Sequence, residues 1–374
     1  MNILITGGAG FIGTHLRGKL KEDGHSIRIL DNLLSQVHGN DPDLDFGNSE
    51  FIRGDVRDLN IVKDAVVGID IVFHLAAETG VGQSQYEIER YISTNTYGTA
   101  VVLQAAVNAG VKHFLVTSSR AVYGEGVHLC PGCGERFVPK SRSSEDMDRG
   151  DWEIKCPGCD SVAQAQFMGE NDPMSPISIY GLTKVQQEQL AAQVRQVYPM
   201  PVTNLRLFNV FGPGQSLSNP YVGVLGTFFR RITSGNGIDI YEDGQMRRDF
   251  VYVGDVAEAL RLAAGNEKVF NQTLNVGTGK YVTLEEAGME MFRLLGVKPQ
   301  IDFSGKFRLG DIHHAVGDIE QISKKLGYVP PTTFADGLSK FVEWAKTETP
   351  VILPIDTQAE DLLRGNNLLR QARG

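Results

Sequence analysis

In the stretch "SPISIYGLTKVQQEQLAAQV", Tyr180 precedes Lys184 by four residues. The pattern predicts a helix, which puts both side chains on one face about one turn apart. A free tyrosine, with a pKa of about 10, is a poor base at neutral pH. A neighbouring ammonium favours the phenolate and lowers that value. With a hydroxyl donor, such a pair forms a proton relay for oxidising an alcohol while a hydride departs. The spacing alone is common in helices by chance and needs a context.

The cysteines form a second set: Cys130-x2-Cys133, then 22 residues, then Cys156-x2-Cys159. Two CxxC pairs can bring four thiolates onto one zinc ion, and Pro-Gly inside each pair suits the tight turn of a knuckle. Four thiolates leave no open position, so zinc here is expected to be structural. The intervening "KSRSSEDMDRGDWE" is polar and is not expected to fold alone; metal would supply the core it lacks. Disulfides are disfavoured in a reducing compartment. A redox-active CxxC normally sits at a helix N-terminus, which Pro-Gly argues against. The insert balances five basic residues against six acidic ones without a basic aromatic platform, so nucleic acid is not an expected partner.

The elements that must position these groups begin with "NILITGGAGFIG", an apolar strand, a glycine-rich turn and the opening of a helix. Gly7 allows the tight turn, Gly10 lets backbone approach a pyrophosphate, and Gly13 lets helix pack on strand. The helix start at Phe11 and Ile12 stabilises the anion. The next strand, "SIRIL", ends in Asp31, followed by Asn32. A carboxylate there accepts both ribose hydroxyls and repels a 2′-phosphate, which favours NAD over NADP. "EFIRGD" ends in Asp55, placed to reach an adenine, with Val56 beside it. "IDIVFHLAA" ends in Leu75, Ala76 and Ala77, where small residues let a cofactor lie against the strand ends. A helix from about Tyr86 to Asn108 leads to the strand "VKHFLVTSS". Strands alternating with helices imply an α/β fold with a doubly wound parallel sheet of Rossmann type, its ligands at the carboxyl edge.

The 374 residues are 41% hydrophobic and 22% charged, enough for one large or two coupled domains. A net charge of −9 and no basic stripe argue against nucleic acid. No apolar run reaches the length of a membrane span, and "MNILITGG" starts a buried strand without a charged leader. The expected location is the cytoplasm, with no membrane partner.

The motifs "GGAGFIG", "DNL", "GDVRD", "HLAA", "STNTYGT", "SSRAVYG", "YGLTK", "LRLFNVFGPGQ", "RRDFVYVGDVAEA", "LNVGTG" and "RLGD" run in order from residue 2 to about 345. In them the chain resembles an extended short-chain dehydrogenase/reductase of the nucleotide-sugar epimerase and dehydratase family. The resemblance implies NAD and a nucleotide-sugar substrate. It puts Ser119 at the catalytic Ser/Thr position, Tyr180 as base, and Lys184 as its partner and as a ligand of the nicotinamide ribose. It puts Asn95 in the cofactor-side helix motif, and Asn209, Arg248 and Arg308 where the family holds the nucleotide diphosphate. It also implies a homodimer through helices around 92–109 and 178–197.

Family dehydratases carry an acid and a base directly after the catalytic Thr; here those positions are Arg120 and Ala121. The Glu that decarboxylases carry there is missing too. Oxidation at C4 with hydride return to the other face, which is 4-epimerisation, needs neither. Alternatives are another nucleotide-hexose epimerase, similar to UDP-glucose 4-epimerase, a dehydratase or decarboxylase, and a non-catalytic NAD-sensing module. Ser119 and Tyr180 stand 61 residues apart; without Cys130 to Cys159 the spacing is 31, similar to ordinary members. With "YGEG" and "GPGQSLSNPYVGV", this insert is similar to the branch that acts on dTDP-L-rhamnose and dTDP-6-deoxy-L-talose.

The expected organisation is a Rossmann domain over 1–208 plus about 250–276, and an insert over about 126–172. A smaller α+β substrate domain covers 209–249 plus 277–349, and a tail covers 350–374. "GIDIYEDGQMRRDFVYV" reads as a hairpin-like strand pair and Arg247 as a solvated neighbour of Arg248. His313 and His314 read as surface or cleft residues, with no carboxylate or Cys spaced for a metal. The tail, with leucines at helical spacing, reads as a docking helix or a frayed end.

Overall fold

The computed structural model describes residues 1–39, 44–219, 221, 223–348 and 355–372. Pro220 and Val222 of the "GPGQSLSNPYVG" loop, and 350–354 and 373–374 of the tail, lie outside the described residues.

Four apolar runs become strands β1 (Asn2–Thr6), β2 (Ser26–Asp31), β3 (Glu50–Arg53) and β4 (Ile71–His74), and "HFLVTSS" becomes β5 (His113–Ser119). With Val202–Leu207 and Thr273–Val276 they form a seven-stranded sheet. Its order is Thr273–Val276, Val202–Leu207, β5, β4, β1, β2, β3, and every pairing is parallel. The order runs outward from β1 in both directions, so the crevice opens where the direction reverses, above the carboxyl ends of β1 and β4. Residues such as Ile5, Phe73, Leu115 and Leu205 are fully buried, as expected of strands covered by helices on both faces.

Helix α1 (Phe11–Glu22) covers one face. The helix expected from Tyr86 to Asn108 is segmented: Ile88–Tyr91, a π-helical stretch Ile92–Tyr97, then Gly98–Ala109. The remaining C-terminal half packs helices Val224–Thr233, Leu284–Leu295 and Phe334–Ala345 around Phe228, Phe292 and Phe341.

The expected hairpin does not form. Ile238–Ile240 pairs in parallel with Ile301–Phe303, while Arg247–Arg248 joins Val282–Thr283 and His314–Ala315. Gln245 and Asp243 do make a turn, but each flanking strand finds a more distant partner. Pairing with the far segments buries Ile238, Ile240 and Met246 in the helical core, which a two-stranded hairpin could not do.

The insert is a three-stranded patch with His128–Leu129 between Arg136–Phe137 and Gln164–Ala165. Its apolar residues Met147 and Trp152 pack on Phe307 of the C-terminal half. In the described part of the tail, Ile355–Gly365 is helical, and Leu369–Gln371 is a strand antiparallel to Lys306–Arg308. Of the leucines expected to continue a helix, Leu362 and Leu363 lie on the helix, Leu369 on the strand and Leu368 between them.

Candidate active site

The glycine turn has the shape its residues require. Gly7 adopts φ +70°, and a Cβ there would lie 2.7 Å from the Ala76 amide nitrogen, so a side chain would prise β1 from β4. A Cβ at Gly13 would lie 2.7 Å from the Gly7 carbonyl, which is why α1 sits directly on the turn. By helical geometry the amides of Phe11, Ile12 and Gly13 have no acceptor within the helix, leaving donors for an anion.

Asp31, 8% exposed, receives hydrogen bonds from the Ala9 amide (3.1 Å) and the Leu33 amide (2.9 Å). One carboxylate thus clamps both loops at the tip of β2, with lone pairs remaining for ribose hydroxyls. The expected outcome of Asp31→Ala is at least a tenfold loss of NAD affinity, since two hydrogen bonds to a charged acceptor at about 1.5 kcal/mol or more each vanish; fluorescence titration of cofactor-stripped protein checks it.

Asp55 stands at the end of β3 as expected, but its carboxylate is gripped by Arg57 at 2.8 Å on each oxygen and by Asn32 at 3.2 Å. These bonds hold its pKa down to about 2. Val56 is buried, and Leu75, Ala76 and Ala77 line the strand end half-exposed. Asn95 is fully buried, and its amide is spent on the Glu78 peptide (2.8 and 3.0 Å) and Thr183 (3.0 Å). In this structure it fixes the loop after β4 to the Tyr180 helix, and its polar atoms are not open to a ligand.

The groups predicted to react converge from β5 and the helix Ile179–Val197. Ser178 caps that helix through the Gly181 amide (3.0 Å). Gly181 has no room for a side chain: a Cβ would sit 2.6 Å from the Ala121 carbonyl. This close seat holds Tyr180 beside Ser119, whose hydroxyl accepts from the Ala121 amide at 3.2 Å. Lys184, 3% exposed, donates to the Thr117 carbonyl at 2.8 Å and lies 5.9 Å from the Tyr180 ring centre.

The expected lowering of the tyrosine's pKa is not a property of the protein groups alone. Burial pushes Tyr180 up, against the nearby Ser119 hydroxyl and the Arg120 charge. Burial also draws Lys184 down to about 7, partly opposed by Glu188. The ammonium is directed at a backbone carbonyl and costs desolvation, so it gives the phenol less than its proximity implied.

One support went unread in the sequence. Glu188 accepts from Ser118 (2.5 Å) and pairs bidentately with Arg206 (2.9 and 2.7 Å), which donates to Tyr123 (2.8 Å). All of these side chains are buried. The signal was present: Tyr180, Lys184 and Glu188 repeat at four-residue spacing along one helix face.

A cavity of about 260 Å³ opens from Ala121 and Ser178 toward Asn209, Arg248 and Arg308. Arg248 gives its guanidinium to the carbonyls of Arg247, Ile312 and His313, and burial draws its pKa down to about 9. Arg308 pairs with Asp311 (2.9 Å) and lies over the Tyr241 ring. Asn209 accepts from Arg120 (2.9 Å), whose buried Nη1 has no partner among the described residues. An unpaired guanidinium nitrogen at this wall fits an anionic ligand, whereas the sequence points to Arg120 only as the residue standing where dehydratases carry an acid or base. Arg247 is exposed beside Tyr281, as expected.

Over residues 3–143 and 160–277 the chain matches the family model described as the NAD dependent epimerase/dehydratase family. This chain belongs to that family. The break in the match falls inside the cysteine insert, so the epimerase/dehydratase scaffold continues on both sides of it. The chain is 34% identical to the dTDP-L-rhamnose 4-epimerase of Burkholderia thailandensis over 92% of its length and 95% of the relative's. Among solved structures it is similar to the UDP-glucose 4-epimerase of Thermotoga maritima with UDP-glucose, at TM-score 0.76 and 31% identity. It is also similar to MoeE5 in complex with UDP-glucuronic acid and NAD, at 0.75 and 30%. Each covers 92% of this chain and 99% of its own. No described helix is long and apolar enough to cross a membrane.

On this family scaffold the insert makes a contact no motif announced. Arg142, 4% exposed, holds Glu242 with two bonds (2.6 and 2.8 Å) and Glu125 with one (3.2 Å). Glu242 also receives His313 Nδ1 at 2.9 Å and lines the cavity. His313 and His314 are buried, and a carboxylate, Glu153 of the insert, does approach both. That corrects the surface reading: the fold brings the insert across them, which sequence spacing could not show. They are still a poor metal pair. The Arg247 amide donates to His314 Nδ1 (3.2 Å), so the Nε2 facing Glu153 carries the proton.

Burial alone would push the Glu242 carboxyl up, but bonds from His313 and Arg142 hold it down to about 2. Its contribution is complete above the unfolded value near 4.5 and is lost as pH falls toward 2. The loss is on the order of 3 kcal/mol. Glu125 is pushed the other way by burial and takes a proton first. Acid denaturation followed by circular dichroism should therefore steepen below pH 4.5, and Glu242→Gln should flatten that limb.

Proposed function

We propose that the protein is an NAD-dependent nucleotide-sugar 4-epimerase acting on a 6-deoxyhexose, dTDP-L-rhamnose and dTDP-6-deoxy-L-talose being the preferred pair. Ser119 and Tyr180 stand two residues from Ala121 and Ser178, which line the cavity together with Arg120, Arg248 and Arg308. The observation that carries the reading lies at the two positions after Ser119. Ala121 offers a methyl group to the cavity and Arg120 a guanidinium engaged with Asn209, so elimination lacks an acid and base at those positions.

NAD supplies the acceptor and donor of the sugar's hydride when bound. The residues that fit it are the glycine turn from Gly7 to Gly13, Asp31 with Asn32, the Asp55–Val56 tip, the Leu75–Ala77 strand end and Lys184. In this reading Tyr180 takes the proton of the C4 hydroxyl and returns it, and Ser119 holds that oxygen in line. Lys184 sets the electrostatic bias of the phenol. The arginines grip the diphosphate while the sugar turns about its tether.

Structural zinc fits the insert. The four sulfurs lie within 4.8 Å of one another, with Cys130–Cys159 at 3.4 Å and Cys133–Cys156 at 3.6 Å. A tetrahedral zinc with bonds of about 2.3 Å sets sulfurs about 3.8 Å apart. The two knuckles repeat one hydrogen-bond pattern: Gly134 to Cys130 and Asp160 to Cys156, both 2.9 Å, then Cys130 to Glu135 and Cys156 to Ser161. A homodimer is supported by the exposed apolar residues Tyr97, Leu182 and Val197 on the two helices the family uses.

The test is a panel of nucleotide sugars incubated with purified protein without added NAD and followed by NMR. Inversion at C4 of dTDP-L-rhamnose is expected. A 4-keto-6-deoxy product from dTDP-glucose would overturn the reading in favour of a dehydratase.

A further inference from the structure

We propose that the C-terminal segment supplies one wall of the substrate site, with Leu363 contacting the sugar of a nucleoside diphosphate sugar; this rests on the nucleotide-sugar reading above. The family match ends at residue 277, yet Ala359, Glu360 and Leu363 line the same cavity as Arg248 and Arg308. Leu363 is 3% exposed although it sits on a helix whose next residue but one, Gly365, already faces solvent.

The segment is anchored on both sides of the cleft. On the C-terminal half, Leu369–Gln371 pairs with the strand that carries Arg308, Arg308 standing opposite Leu369. The Leu309 amide donates to the Leu368 carbonyl at 2.9 Å. Glu360 accepts from the Tyr241 hydroxyl at 3.0 Å and faces Lys306 at 3.6 Å, and the Tyr241 ring also carries the Arg308 guanidinium. On the nucleotide half, the Leu363 methyls rest on Gly82, where a Cβ would lie 3.2 Å from Cδ2. Gly82 follows β4 and lines the cavity beside Val81.

One helical turn therefore spans the opening from the arginine end to the reactive end. Glu360 sits by Arg308, its charge countered by Lys306. Leu363 sits beside Val81 and Gly82, where an apolar wall packs on the carbon face of a sugar and excludes water. A charge at position 363 would face the sugar without a partner, whereas a methionine would keep the wall.

The experiment is calorimetric titration of NAD-loaded full-length protein in a Tyr180→Phe background, which separates binding from turnover. Leu363→Glu is expected to weaken dTDP-L-rhamnose at least tenfold and dTDP less than threefold. NAD content should not change, and Leu363→Met should bind as the parent does. Equal affinity of Leu363→Glu and parent for dTDP-L-rhamnose, or an equal loss for dTDP and the nucleotide sugar, overturns the wall. Wild-type protein that binds nucleotide sugars but never inverts them contradicts the epimerase reading and leaves this result standing.

Discussion

Replacing Tyr180 by phenylalanine should lower kcat by about a thousandfold or more while NAD stays bound, the upper part of the range that general acid–base groups supply. The phenol lies near enough to the Ser119 hydroxyl and the Arg120 guanidinium to be influenced by both. Its ring packs within a helix whose cap and seat, Ser178 and Gly181, do not involve the hydroxyl. Phenylalanine should therefore keep the helix in place and remove only the proposed proton carrier. Ser119→Ala should cost less, because the serine hydroxyl orients and does not hold the proton. Measuring kcat and cofactor content on the same preparation separates a lost proton carrier from a lost fold. Loss of NAD together with activity would mean that the tyrosine acts in binding.

Removing the proposed zinc from the insert is the second large effect expected. The described insert has few apolar residues of its own; Met147 and Trp152 lean on Phe307. Zinc at about 10–16 kcal/mol of apparent binding energy would dominate what holds its two knuckles together. Protein purified without chelators should contain about one zinc per chain, as four thiolates closing one tetrahedral site require. Cys156→Ser should lose the metal and expose residues 140–155 to protease. It should also raise KM, because Arg142 would release Glu242 at the cavity wall. Metal-free protein with intact protease resistance would remove zinc from the account.

Much of the site was legible because its residues act through local pattern. A glycine turn needs φ > 0 at Gly7 and close packing at Gly13, and both follow from residue type at fixed spacing. Tyr180 and Lys184 share a helix face for the same reason. The parallel sheet followed from alternation of apolar runs with helices. What spacing could not reveal depends on long-range contact. Arg142 meets Glu242 a hundred positions away, Glu153 crosses two buried histidines, and the strand at Ile238 prefers a partner at Ile301. Burial is the other gap. Tyr180 and Lys184 are shifted more by desolvation than by each other, and Asn95 and Arg248 spend polar atoms on backbone; neither is visible before the chain is folded.

The central claim, transient oxidation at C4 with return of the same hydride, is tested most directly with dTDP-L-rhamnose carrying deuterium at C4. Incubated with the protein in ordinary water and without added NAD, it should give product inverted at C4 with the deuterium still on that carbon. Inversion with loss of the label to solvent, or a 4-keto product in place of an epimer, would contradict the account.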